Sequence, residues 1–216
     1  MHIPDGLLPA SVCIGGYALT GLTTWYALRQ INRQQHPTEE MPKAALLTAA
    51  FFVASSIHIP VPPTSVHLVL NGLLGVVLGY YAFPAILIGL FFQAVMFGHG
   101  GMTTLGVNAV MMGIPALLAH HLFQLYPHFE RSRQRKWVIA LFAFLAGAFG
   151  LGLAVAIFFT IVITTIPTGF DVVTEQTAIY GLAIAHIPLI ILEGIFTAML
   201  VLFLQRVKPE LLKGKL

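Results

Sequence analysis

Long apolar stretches, separated by short polar or proline-bearing connections, set the pattern of this chain. They run near residues 9–28, 44–59, 67–82, 84–98, 108–126, 137–166 and 178–205. Each approaches the roughly 20 residues that a helix needs to cross the hydrocarbon of a bilayer. The 137–166 run is long enough to tilt or to extend beyond it. The alternation of a β-barrel strand is missing, so backbone hydrogen bonds must close within each span, which predicts helices. Pro4, Pro9, Pro42, Pro60, Pro62, Pro63, Pro84, Pro127 and Pro167 fall at or near the predicted ends, as helix punctuation should.

Composition turns this pattern into a fold class. Hydrophobic residues make up 57% and charged residues 9%, against about 25% charged in a soluble domain. Residues 44–129 contain no Asp, Glu, Lys or Arg. The expectation is a single all-α integral membrane domain with seven transmembrane helices. Residues 1–8 are expected to form an external N-terminal segment, 9–205 the helix bundle and 206–216 the tail.

Charge supplies the orientation. Arg29, Arg33 and Lys43 flank the first connection, Arg131, Arg133, Arg135 and Lys136 precede the sixth helix, and Arg206, Lys208, Lys213 and Lys215 end the chain. A seven-helix count puts all of them on one side, which the positive-inside rule makes the cytoplasm. The N-terminus then faces outward and the C-terminus inward. The net charge of +3 follows from this topology and calls for no nucleic acid. No basic residue precedes Arg29, so no signal peptide is expected. The large side chain of His2 predicts that Met1 is retained. The lone Cys13 excludes an internal disulfide or a multi-thiolate site.

Candidate chemistry begins at the first two residues. The Met1 amine, the His2 amide and the His2 ring through Nδ1 can close adjacent five- and six-membered rings around one metal ion. One in-plane position is left, which a remote imidazole can fill. Four nitrogens in a plane suit Ni²⁺, Cu²⁺ or low-spin Co²⁺ better than Zn²⁺, Mg²⁺ or Ca²⁺. His67, at the predicted outer end of helix three, falls on the same face as Met1. A polar ring beside an apolar span is costly unless paired, so His67 is the expected fourth ligand rather than a packing histidine.

Other polar residues are weighed against plainer roles. Asp5 reads as a turn former in Pro4-Asp5-Gly6, solvated or capping helix one, with a second duty of orienting the His2 ring. The glycine-rich stretch Phe97–Asn108 carries no lysine for a phosphate loop. It reads as a lid or buttress over the N-terminal segment, with His99 and Asn108 as its polar members and His99 as a spare ligand. His58, His186 and Glu193 lie in or near spans; a structural hydrogen bond is the expectation for the His186–Glu193 region, worth about 0.6 kcal/mol per contact. His36, His120, His121 and His128 are expected to hydrate near the cytoplasm. Gly75-x-x-x-Gly79, Ala143-x-x-x-Gly147 and Gly150-x-x-x-Ala154 are small-residue contacts, either internal or with a membrane partner.

Four segments carry a family resemblance: Met-His-Ile-Pro-Asp-Gly at the start, residues 63–72, 97–108 and 185–194. They resemble the CbiM/NikM family, substrate-capture components of energy-coupling-factor importers for cobalt and nickel. The resemblance implies seven helices, an N-terminal segment inserted into the bundle, and a metal site of the Met1 amine, the His2 amide and ring, and the His67 ring. It implies two cytoplasmic ATP-binding subunits, a transmembrane coupling subunit and a small membrane accessory subunit as partners, in the inner membrane of a prokaryote. The metal is transported substrate, Co²⁺ or Ni²⁺ with cobalt slightly favoured, and no catalytic cofactor is implied. The rival readings are a stand-alone metal channel or proton-coupled carrier using His186 and Glu193, and an intramembrane metalloenzyme. The metalloenzyme reading lacks a His-Glu-x-x-His motif.

Overall fold

The computed structural model describes residues 2–61, 64–129, 135–166 and 171–212. Its helices are α1 (Ala10–Ile31), α2 (Met41–Ser56), α3 (Asn71–Leu78), α4 (Ala82–Phe97), α5 (Leu105–Phe123), α6 (Arg135–Thr164) and α7 (Val172–Val207). Large apolar side chains cover the outside, among them Leu22, Ile88, Trp137 and Met199. Such a surface is stable against lipid tails and not against water.

Among the described residues, four stretches are long and apolar enough to cross a bilayer: Asn71–Phe97, Leu105–Phe129, Arg135–Thr164 and Val173–Val207. The first is not one rod. Twenty-seven residues of straight helix would separate its ends by about 40 Å. Yet His67 and His99, which flank it, both lie against the ring of His2. The chain doubles back at Gly79–Tyr81, where Gly79 has a φ of 62°, a conformation open to glycine. There the Tyr81 hydroxyl donates to the Pro37 carbonyl, in the connection between α1 and α2.

One end of the bundle gathers the N-terminal segment, the 98–104 turn and the α6–α7 junction. Ile3, Leu7 and Leu8 line a small cavity with Val162, Ile166 and Ile179. The other end gathers described basic residues. Lys43 donates to the Leu211 carbonyl at 3.0 Å, and Lys136 and Arg206 line one surface groove.

Several expected boundaries move. Helix three is shorter than 67–82, because His58–Val61 and Thr64–His67 form a two-stranded antiparallel ribbon, β1 and β2. A non-helical connection in a dry bundle needs backbone partners, and cross-strand bonds supply them. His67 therefore ends a strand and does not open a helix. Leu70 then takes a left-handed conformation (φ 54°) before α3 starts. Helix seven begins at Val172 rather than 178, since Asp171 caps it by accepting from Val173 N–H at 3.2 Å.

The small-residue motifs pack internally. A Cβ on Gly75 would run into the Ala116 backbone carbonyl of α5. One on Gly150 would meet Gly72 Cα at 2.5 Å, and one on Gly147 would meet Thr197 Oγ1 at 2.5 Å. Beside these contacts Asn71 is fully buried. Its Nδ2 donates to the Met112 and Gly150 carbonyls (3.2 and 2.9 Å), stapling α3 to α5 and α6. The packing makes a direct prediction. Gly75→Ala lowers stability in detergent by about 1–3 kcal/mol through overpacking. Gly21→Ala, with nothing within 4 Å of the added carbon, leaves the thermal midpoint unchanged or raised.

Candidate metal centre

The site is built on the non-helical N-terminal segment held by α5. Ile3 is 1% exposed, so its backbone needs partners from protein. Asn108 supplies both. Ile3 N–H donates to Asn108 Oδ1, and Asn108 Nδ2 donates to the Ile3 carbonyl, each at 3.0 Å. The same carbonyl accepts from Thr104 Oγ1 at 2.7 Å. Two residues on, Asp5 accepts from Met102 N–H (3.1 Å), Thr103 N–H (2.9 Å) and Thr103 Oγ1 (2.5 Å). These donors, the Thr103 hydroxyl foremost, hold the Asp5 carboxyl below its ordinary value. A side chain on Gly101 would collide with that carboxylate.

This tether brings His2 between two other histidines. Its ring centre lies 5.0 Å from that of His67, with the planes 25° apart, and 5.7 Å from that of His99, 19° apart. With metal–nitrogen bonds of about 2.0 Å, two imidazoles sharing an ion have centres about 4–6 Å apart. His67 is 3% exposed, and its Nδ1 lies 3.2 Å from the Leu68 carbonyl. A carbonyl only accepts, so Nδ1 carries the hydrogen and Nε2 the lone pair. Burial, reinforced by the neighbouring imidazoles, holds the His2 ring well below the ordinary histidine range. A neutral ring is the form that binds metal.

Glu193 on α7 fixes the backbone just beyond His67. Its carboxyl accepts from Val69 N–H at 2.5 Å and from Leu70 N–H at 3.0 and 3.1 Å. Both donors precede the first turn of α3. The structural hydrogen bonding expected of the His186–Glu193 region takes the form of two separate contacts, since His186 Nδ1 donates to Leu182 O at 2.7 Å in its own helix.

The expected residues therefore fall as follows. His2, His67, His99 and Asn108 converge on one end of the bundle, and the 98–104 turn covers the N-terminal segment. Asp5 faces that turn and does not cap α1, whose N-cap is Pro9. Met1 and the His58 side chain lie outside the described residues. His120 corrects the expectation of a hydrated residue: it is 2% exposed and packs edge-on to Tyr80. Among the described residues, no three His, Cys, Asp or Glu side chains form a metal-holding group.

Two contributors escaped the sequence reading. Gln93 Oε1 lies 2.9 Å from His2 Nε2, and Gln93 Nε2 donates to Ser55 Oγ. Gln93 is 1% exposed and Ser55 is 1% exposed. The available signal was an amide inside the charge-free 84–98 run, where a polar group has to have a partner.

Comparison with known proteins agrees with this architecture. Residues 2–211 match the family described as the cobalt uptake substrate-specific transmembrane region, CbiM. A putative metal transport protein of Haemophilus influenzae is 34% identical over 98% of this chain and 97% of its own length. A putative cobalt transport protein CbiM of Methanococcus voltae is 33% identical over 98% of this chain and 94% of its own. A fused nickel transport protein NikMN of Rhodobacter capsulatus is 32% identical over 98% of this chain and 64% of its own. The fold matches the crystal structure of a transition metal transporter with a TM-score of 0.78 at 23% identity, over 96% of this chain and 93% of the other. An all-helical membrane protein with these relatives is a transporter component and not an enzyme. The chain belongs to the CbiM family, the substrate-specific membrane components of cobalt and nickel uptake.

Proposed function

We propose that this protein captures Co²⁺ or Ni²⁺ at the outer face through the Met1 amine, the His2 amide, His2 Nδ1 and His67 Nε2. The observation that carries the reading is the approach of the His2 and His67 rings to 5.0 Å, although 65 positions separate them in sequence. That approach rests on the clamp at Ile3 and on the grip of Glu193 beyond His67. A planar set of four nitrogens selects ions with strong square-planar preference, and the Irving–Williams order favours Ni²⁺ in raw affinity. His99 stays a neighbour of the site, since such a plane needs no fifth ligand.

The chain carries no nucleotide-binding motif, so concentrating the ion falls to partners. By family, these are two cytoplasmic ATP-binding subunits, a transmembrane coupling subunit and a small accessory membrane subunit. The clustering of Lys43, Lys136 and Arg206 away from His2, His67 and His99 supports seven crossings with the metal site outside and the C-terminus in the cytoplasm. A stand-alone proton-coupled carrier is less well supported, because His186 and Glu193 make separate contacts.

The decisive test uses purified protein with its native N-terminus beside a variant with one alanine inserted between Met1 and His2. The insertion keeps every ligand type but changes the ring sizes and the reach to His67. Stoichiometric Ni²⁺ and Co²⁺ binding is expected to disappear, and unchanged binding would move the site elsewhere. Acid is expected to weaken binding between about pH 8 and pH 5, because the ligand nitrogens must lose protons. The Asp5 contact does not contribute in that window. Its depressed carboxyl is ionised above the ordinary aspartate value and is lost only as pH falls through the lower folded one. Asp5→Ala is therefore expected to speed Ni²⁺ release into a chelator at neutral pH without altering the pH slope of affinity between those limits.

A further inference from the structure

The hydrogen bonds that run from α2 through α4 to His2 have a direction, and the direction decides which nitrogen of His2 can bind metal. The chain starts at the Phe51 carbonyl, which only accepts. Ser55 Oγ lies 2.6 Å from it, so the one hydroxyl hydrogen is committed there. The second nearby oxygen, the Phe52 carbonyl at 3.4 Å, is also an acceptor and competes for the same hydrogen. Towards Gln93, Ser55 can offer only a lone pair, and the Gln93 NH₂ group takes it.

The Gln93 carbonyl oxygen must then face His2. It stands 2.9 Å from His2 Nε2 and can only accept, so Nε2 carries the ring hydrogen. In a neutral imidazole the lone pair is then on Nδ1. Nδ1 is the nitrogen that closes a six-membered ring with the His2 amide, whereas Nε2 points too far from that amide to chelate with it. A reversed Gln93 amide would present N–H to Nε2 and force the hydrogen onto Nδ1. It would also aim its oxygen at Ser55, whose hydrogen would have to leave Phe51.

We infer that Ser55 and Gln93 form a positioning relay that fixes the Nδ1-lone-pair tautomer and the orientation of the His2 ring before the metal arrives. This inference rests on the Met1–His2–His67 reading above. The relay is built from rigid parts. Both side chains are buried, and Ser55 and Gln93 sit on facing helices, α2 and α4, that meet where Gly89 admits the Phe51 ring. It is also neutral, so it orients the ring without adding a fixed charge to the apolar end of the bundle.

The test reads the tautomer directly. In protein labelled with ¹⁵N in its nine histidine rings, the His2 signals are assigned by their loss in His2→Ala. Metal-free wild type is expected to show His2 with Nε2 protonated and Nδ1 bare. Observation of the opposite tautomer overturns the relay. Gln93→Met, which keeps volume but no polar group, is expected to yield a mixture of tautomers and a loss of Ni²⁺ affinity of roughly 10- to 100-fold. Ser55→Ala leaves Gln93 in place but removes its anchor, so it should also produce the second tautomer and serves if Gln93→Met does not fold. The inserted-alanine variant separates the two levels of the argument. If the insertion abolishes binding while Gln93→Met and Ser55→Ala leave tautomer and affinity unchanged, the relay is wrong and the chelate stands. If the insertion leaves binding intact, the chelate itself fails and the relay with it.

Discussion

The pairing of the Ile3 backbone with the Asn108 side-chain amide is the contact on which the rest of the site depends. A non-helical segment can enter an apolar bundle only if its N–H and C=O groups find partners inside. One carboxamide on α5 meets both needs of the residue next to His2, and Thr104 adds a second donor to the same carbonyl. Without that clamp the first residues would be better solvated outside, and His2 would not reach His67 or His99. Asp5 extends the attachment by tying the following turn to residues 102 and 103.

The same rule explains how His67 is held. The chain from 64 to 70 is not helical, so it too needs partners in a dry interior. The β1–β2 ribbon satisfies its first part, and the Glu193 carboxyl satisfies the amides of residues 69 and 70. Two irregular segments, one at each partner ring, are thus stabilised by buried polar side chains from neighbouring helices, Asn108 and Thr104 for the first and Glu193 for the second. Helix crossings at Gly72, Gly75, Gly147 and Gly150 bring those helices close enough for the contacts to form.

The polar interactions are distributed unevenly along the bundle. The rings of His2, His67 and His99, the amide clamp and the Asp5 clasp lie at the end where the N-terminal segment enters. Described cationic residues lie at the other end, where Lys43 meets the Leu211 carbonyl. Between them lie scattered buried polar side chains, among them Asn71, His186, Glu193 and Thr197, each of which is hydrogen-bonded. Such a division gives the two ends of this substrate-specific membrane component different chemistry.

Much of this was legible in the sequence. A charge-free run from 44 to 129 leaves no alternative to a membrane bundle, and helix positions followed hydropathy to within a few residues at α1, α2, α4 and α5. The pairing of His2 with His67 was also foreseeable, because chelate chemistry and the charge-based topology both pointed to one face. The ribbon at 58–67, the start of α7 at Val172 and the burial of His120 were not. Hydropathy reports how apolar a stretch is, and says little about whether its backbone is helical or which side of a helix a histidine occupies. Gln93 and Ser55 show the limit most clearly. Each is one polar residue in an apolar run, and their joint bearing on His2 exists only because α2 and α4 pack side by side. Sequence determined the solvent the protein lives in and the ligands it can offer. Tertiary structure decided which hydrogen-bond partners those ligands meet, because donors and acceptors 38 and 91 positions apart are brought into contact only by packing.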